Sequence, residues 1–392
     1  MSYELALQRS ARRIEARAVE LAEERRAAPA LCDLLLATPP DHRAELLRDD
    51  ARLHAWGVLE RLVEESGEAA IRSPARAQDL ARLALSVSDL LDRHRHPEEL
   101  IEDLRARAWA ALGNARRVTS DLRGAANAFA TAAVHLALGT GDRLERAVLL
   151  DLEASLLRDR RRFREAQALL GRAITLFLRE GERHLAGRSL VNLSTVYEHA
   201  AAPEEAIAPL HRALELIDAA ADPRLLLCAV HNLITNLVGC GRPREARTLY
   251  LRSRPTYRAA TDAWTRNRRL WVLGRIACGL GRPRPAESLF RAARDGFLAA
   301  EIPYDTALVS LDLALLFAGQ GRSRELRRLA EEMMPIFASR QIHREALAAL
   351  AFLKTAMESE QASLELVSRV AAYLRRAEHD PALPFEELRD TC

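Results

Sequence analysis

The chain has 392 residues, 49% hydrophobic and only 5% aromatic, and its 58 basic and 55 acidic side chains leave a formal charge of +3. So even a balance excludes the overall basic excess of a non-specific nucleic-acid binder, and the dominance of Ala, Leu, Arg and Glu over β-branched runs points to an all-α protein. Cys32, Cys228, Cys240, Cys278 and Cys392 fit no CxxC or Cys/His ligand spacing, which argues for a reduced, cytoplasmic setting. No run approaches the ~18 apolar residues of a membrane span, and the charged N-terminus lacks a signal core, so neither export nor an anchor is expected.

Residues 3–26 read as one long charged helix that ends before the Ala-Ala-Pro-Ala at 27–30. Its Arg/Glu pairs at helical spacing make a solvated face or an oligomer seam. Pro39-Pro40 breaks the chain next, with Asp41 placed to cap the helix that follows. At 73–85, Ser73 stands as N-cap and Pro74 at the first helical position, and Ala77, Leu80, Ala81 and Ala84 share one face. Residues 92–97 form a loop whose His94 and His96 lack a third ligand in reach, so no metal site is expected.

Beyond residue 104 the sequence repeats. Ala166, Ala206, Ala246 and Ala286 stand 40 apart, with Leu326 at the next step, and Gly241, Gly281 and Gly321 and Pro203, Pro243 and Pro283 keep the same interval. Self-similarity at this spacing marks stacked repeats. Trp109, Leu112, Gly113, Ala125, Phe129 and Ala132 are spaced as the bulky and small positions of a tetratricopeptide unit. So are Leu190, Leu193, Tyr197, Ala206, Leu210 and Ala213, and Leu270, Leu273, Gly274, Ala286, Phe290 and Ala293. Residues 225–250 match more loosely, with Ile234 in a small place, and the last unit exchanges large and small, Leu326 for Ala and Ala330 for the aromatic.

The region therefore resembles a tetratricopeptide repeat array. That resemblance implies a right-handed α-solenoid of stacked antiparallel helix pairs, a TPR-like superhelix, with small residues where the helices cross and bulky ones beside them. The expected layout is an N-terminal helical segment over 1–100, an array of about six units over 101–340, closing helices over 341–378 (343–360 and 364–378) and a disordered tail over 379–392. In that tail Pro-Ala-Leu-Pro-Phe could act as a docking peptide. Each unit carries about six residues more than the family's usual length of about 34, assigned to longer helices and wider connections between units. Pro255 and Pro335 should bend or end their helices early.

No GxxxxGK, strand-borne GxGxxG, HExxH or GxSxG is present, so the expectation is a non-enzymatic protein without a cofactor. Cys228 and His231 lie three apart on one helix, but nothing supplies an orienting acid or an oxyanion hole. The resemblance implies that the first helices line a concave groove. It places Arg107, Asn114, Arg188, Asn192, Thr195, His231, Asn232, Thr235, Arg268, Trp271 and Arg275 there, with Asn192 and Asn232, and Thr195 and Thr235, in equivalent places. Asn pairs with both N–H and C=O of an extended peptide, and Arg takes carboxylates bidentately. A groove centred on Asn192, Asn232 and Trp271 would hold a protein or peptide with acidic or C-terminal carboxylate groups; the alternative is the wet concave face that any solenoid must have.

Arg242, Arg282 and Arg322, beside Arg244, Arg284 and Arg324, stack into an arginine edge that could attract nucleic-acid phosphate, or are simply exposed helix-start residues. The functional expectation is a protein- or peptide-binding scaffold. A peptide-responsive regulator of a transcription factor or other effector is the alternative, and nucleic-acid binding stands third. Neither partner identity nor oligomeric state is legible.

Overall fold

The computed structural model describes residues 3–338 and 364–377, and every regular element in them is helical. The chain divides into two compact units, Met1–Glu182 and Arg183–Cys392.

In the first unit α1 (Tyr3–Ala37), α2 (Pro40–Asp49) and a 3₁₀ turn (Ala51–Leu53) precede three helix pairs. These are α3 (Trp56–Arg72) with α4 (Pro74–Leu90), α5 (Glu98–Val118) with α6 (Leu122–Leu138), and α7 (Arg143–Asp159) with α8 (Phe163–Arg179). Helix α1 does not stop before residue 27 but runs through Pro29. Ala28, Cys32 and Leu35 are buried in one cluster with Val58, Leu59 and Leu62 of α3, and burial of that face outweighs the roughly 3 kcal/mol penalty of an internal proline. The Pro39-Pro40 break falls as expected, but Asp41 lies in the first turn of α2 and makes no cap. Ser73 occupies the N-cap of α4 without a side-chain bond, and Ala77, Leu80, Ala81 and Ala84 are buried. His96, in the loop before α5, is buried, stacks on Trp56 and pairs with Arg17 through Nδ1.

The second unit pairs α9 (Arg183–His199) with α10 (Pro203–Leu216), and α11 (Pro223–Gly239) with α12 (Pro243–Arg252) and α13 (Arg254–Ala259). It continues with α14 (Ala263–Gly279) and α15 (Pro283–Ala299), then α16 (Pro303–Gly319) and α17 (Ser323–Ala338), and ends in a helix at Leu364–Ala377. Its first helices begin at Arg183, Pro223, Ala263 and Pro303, 40 residues apart. The extra length sits in the helices, most of them 17 residues long. The connections are mostly not wide: α15 ends at Ala299 and α16 starts at Pro303, and only the link from α10 to α11 is longer. After α11 the second helix breaks at Ser253, two residues before Pro255, which sits in the first turn of α13, so it ends early as expected, whereas α17 continues past Pro335 to Ala338.

Two local devices hold the pairs. At the turn inside a pair, Gly241, Gly281 and Gly321 take φ of 71°, 69° and 67°, and the next N–H closes back onto the helix, as Arg242 N does on Leu237 O at 2.8 Å. The same left-handed turn is made without glycine at Ser120, Arg161 and Ala201, so the geometry belongs to the packing and glycine only eases it. At the crossing, a Cβ on Gly113 would stand 2.6 Å from the Phe129 ring and one on Gly274 2.5 Å from Phe290; each phenyl ring lies directly on bare backbone.

Helix α16 is buried at every residue from Asp305 to Ala314. Val367, Val370 and Ala371 of the Leu364–Ala377 helix join the cluster around it, as does Leu326, the large residue in a small place. The expected helix at 343–360 and tail at 379–392 lie outside the described residues. No described helix is long and apolar enough to cross a membrane.

Candidate functional site

The first helices of the second unit gather a polar cluster built by one step of geometry repeated. On α14, Trp264 and Trp271 are seven residues apart, each followed four residues later by an arginine, Arg268 and Arg275; on α16, Asp305 and Asp312 have the same separation. Trp264 Nε1 donates to Asp305 Oδ2 at 3.1 Å and Trp271 Nε1 to Asp312 Oδ2 at 2.7 Å. Arg268 Nη1 lies 3.9 Å from Asp305 and Arg275 Nε 3.9 Å from Asp312. Seven residues on a helix advance about 10.5 Å along one face, so two Trp–Arg–Asp groups are presented in line.

The two groups are not equivalent. Trp271 is buried and meets Phe297 edge-on at 6.2 Å, so it is no open stacking platform. Trp264 is 41% exposed, with the Arg268 guanidinium 4.8 Å above its ring. Arg268 Nε donates to His231 Nε2 at 3.3 Å, and His231 Nδ1 lies 3.1 Å from the Tyr257 hydroxyl. Burial, then the charges of Arg268 and Arg275, hold the imidazole well below its usual pKa. It is therefore neutral, with Nε2 accepting from Arg268 and Nδ1–H donating to Tyr257. With both ring nitrogens engaged, His231 does not activate Cys228.

On the α9 side, Asn236 Nδ2 donates to Glu198 Oε1 at 2.5 Å and to Asn232 O at 2.9 Å. Burial raises the Glu198 carboxyl above its ordinary range against the pull of Asn236, Arg268 and Arg275, and raises Asp305 against Arg268 and Trp264. The ion pairs of Arg268 with Asp305 and of Arg275 with Asp312 are both loose, at 3.9 Å.

Of the residues expected in a groove, His231, Asn232, Arg268, Trp271 and Arg275 are brought together here. Asn192 and Thr235 are half-buried on the adjoining faces, and Arg188 is exposed. Thr195 turns its hydroxyl back onto Val191 O at 3.1 Å, a bond within its own helix. Arg107 and Asn114 belong to the first unit. There they line a cavity of about 330 Å³ with Ala106, Ala110, Leu149 and Leu152. Arg107 reaches Glu145 at 2.5 Å and Glu60 at 3.4 Å, and Asn114 accepts from Arg117 at 2.9 Å.

Asn236, Tyr257, Trp264, Asp305 and Asp312 were not singled out from the sequence. The repeated Trp-x-x-x-Arg at 264–268 and 271–275 was a usable signal; Tyr257 gave none, because only the break at Ser253 turns it toward α11.

On the turn edge, Arg242 is held by Glu245 at 2.8 Å and Glu204 at 3.1 Å, and Arg322 by Glu287 at 2.6 Å and Glu325 at 2.8 Å. Arg244, Arg282, Arg284 and Arg324 are exposed. Glutamates from the chain's own turn and the preceding pair thus compensate two of the six cations.

No family model matches the chain, and no curated protein matches it in sequence. Solved structures do match in fold. A Rap protein complexed with competence and sporulation factor superposes with a TM-score of 0.59 at 12% identity, over 82% of this chain and 87% of that one. NprR in complex with its cognate peptide NprX gives 0.53 at 15% identity, over 83% and 89%. The apo form of the quorum sensor NprR from B. thuringiensis gives 0.52 at 12% identity, over 92% and 99%. At such identities the likeness is one of fold: this chain is similar to them in being a TPR-like array of helical repeats.

Proposed function

We propose that the chain is a non-enzymatic cytoplasmic binding protein of the tetratricopeptide type, its units lengthened to 40 residues, that holds an extended peptide or protein segment on the first-helix face of the second unit. The observation that carries this reading is the doubled Trp–Arg–Asp arrangement. Among the described residues Arg268 makes one hydrogen bond and one loose ion pair, which leaves most of its five donors for an incoming carboxylate. Asn192 and Asn232 would pair with the ligand backbone, and Trp264 would cover an apolar side chain. The preferred ligand carries acidic side chains or a terminal carboxylate that competes with Asp305 for Arg268.

A selection of acidic peptides displayed against the full chain, followed by calorimetric titration of the best binder, tests this. Arg268→Ala and Asn232→Ala should each weaken binding at least about tenfold, as loss of a charge-assisted or paired hydrogen bond does, while Arg244→Ala on the turn edge leaves it unchanged. Equal affinity for all three variants would sink the site. A second reading, a regulator whose effector contacts change when a signalling peptide binds, is favoured by the resemblance over most of both chains to proteins solved with such peptides.

A further inference from the structure

The second helices of the pairs turn one face to solvent, and in six of the seven pairs the described part of that face is charged, Arg324, Arg328 and Glu331 being exposed on α17. Helix α4 exposes Arg76, Asp79, Arg82 and Asp89; α8 exposes Arg164, Glu165, Arg172 and Arg179; α10 exposes Glu204, Glu205, Arg212 and Glu215. Helix α12 exposes Arg244, Glu245, Arg247 and Arg252, and α15 exposes Arg284, Arg291 and Asp295. Helix α6 breaks the rule. Beyond Arg123 its exposed residues are Asn127, Ala130, Ala133, Val134, Ala137 and Leu138, with no charge among them. Leu138 and Val134, 61% and 60% exposed, are the most exposed large apolar side chains described. Arg123, Asn127, Ala130, Val134 and Ala137 follow one another at steps of four and three, the seam of a helix that packs against another helix.

The two ends of that seam name the occupant. Arg123 stands in the first turn of α6, where a cation opposes the helix dipole. At the other end Gly139 leaves the helix in an extended conformation, and no N–H following α6 closes onto its last turn as those of Thr119 and Arg160 do on α5 and α7. A second α6 laid antiparallel about Ala130 brings each Arg123 to the other's C-terminal carbonyls. It also sets Val134 against Asn127 and lets the backbones approach at alanine. We infer that the outer face of α6 is the contact surface for a second copy of this chain, in a two-fold pairing of like helices. One helix pair covers less than the roughly 1,600 Å² of a standard interface, so the dimer is a weak one. The inference is independent of the peptide site.

Sedimentation equilibrium of the full chain from about 1 to 500 μM should show reversible dimerisation, weakened at least about tenfold by Val134→Glu, with the thermal melt unmoved because Val134 is exposed. In a background with Cys228, Cys240, Cys278 and Cys392 all replaced by Ser, Ala130→Cys should form a disulfide-linked dimer under mild oxidation, and Ala168→Cys on the exposed face of α8 should not. A chain that stays monomeric throughout, a dimer indifferent to Val134→Glu, or equal cross-linking at the two positions overturns the inference.

Discussion

The two units share a framework and differ in what they place on it. In both, a phenyl ring seats on a bare glycine, Phe129 on Gly113 and Phe290 on Gly274, at nearly the same approach. Yet the first-helix residues of one unit surround an apolar cavity rimmed by Arg107 and Glu145, while those of the other build a network of Trp264, Arg268, His231, Asp305 and Asp312. Packing at the helix crossing constrains one face of each helix and leaves the opposite face free, since repeats contact only their neighbours. The difference lies in side chains that the framework does not need.

The comparison breaks first at the crossing. Phe129→Ala and Phe290→Ala should each destabilise the chain by about 4 kcal/mol, since each removes a fully buried ring; denaturant unfolding that finds one of them silent would show that the frameworks are not alike.

Next comes the network. Asp312→Ala leaves the Trp271 N–H without its acceptor and takes one carboxylate from beside Arg275, so a loss of about 3 kcal/mol is expected. Asn114→Ala, which releases only a half-buried arginine, should lose less than about 1 kcal/mol.

Acidification sharpens the contrast further. His231 has a folded pKa well below its ordinary 6.5, so the unfolded chain takes up this proton first and stability falls as pH drops below about 6.5, by at most about 1.4 kcal/mol per pH unit. His231→Gln should remove that part of the slope and leave the part due to His96, which is lowered by burial in the first unit.

The smallest effect belongs to the turns. Ala201→Gly relieves a left-handed alanine at φ 59° and should raise stability by up to about 1 kcal/mol, whereas Gly241→Ala at φ 71° should lower it by a similar amount; a melt that moves both the same way would deny the shared turn.

The repeat framework was legible in the residues themselves. Small and bulky side chains at fixed spacing dictate where helices can cross, and proline at the start and glycine at the end dictate where they begin and stop, so Gly274, Phe290, Pro243 and Gly281 stand where their chemistry requires. The run of α1 through Pro29, the turn at Ala201 without glycine and the coupling of Trp264 and Trp271 to aspartates 41 residues onward were decided only by tertiary structure. Each depends on partners distant in sequence. Local propensity sets the ends of a helix within a few tenths to a few kcal/mol, a margin that one buried face readily overrides. A carboxylate becomes part of a site only when the next helix carries it to an indole N–H in a place from which water has been removed.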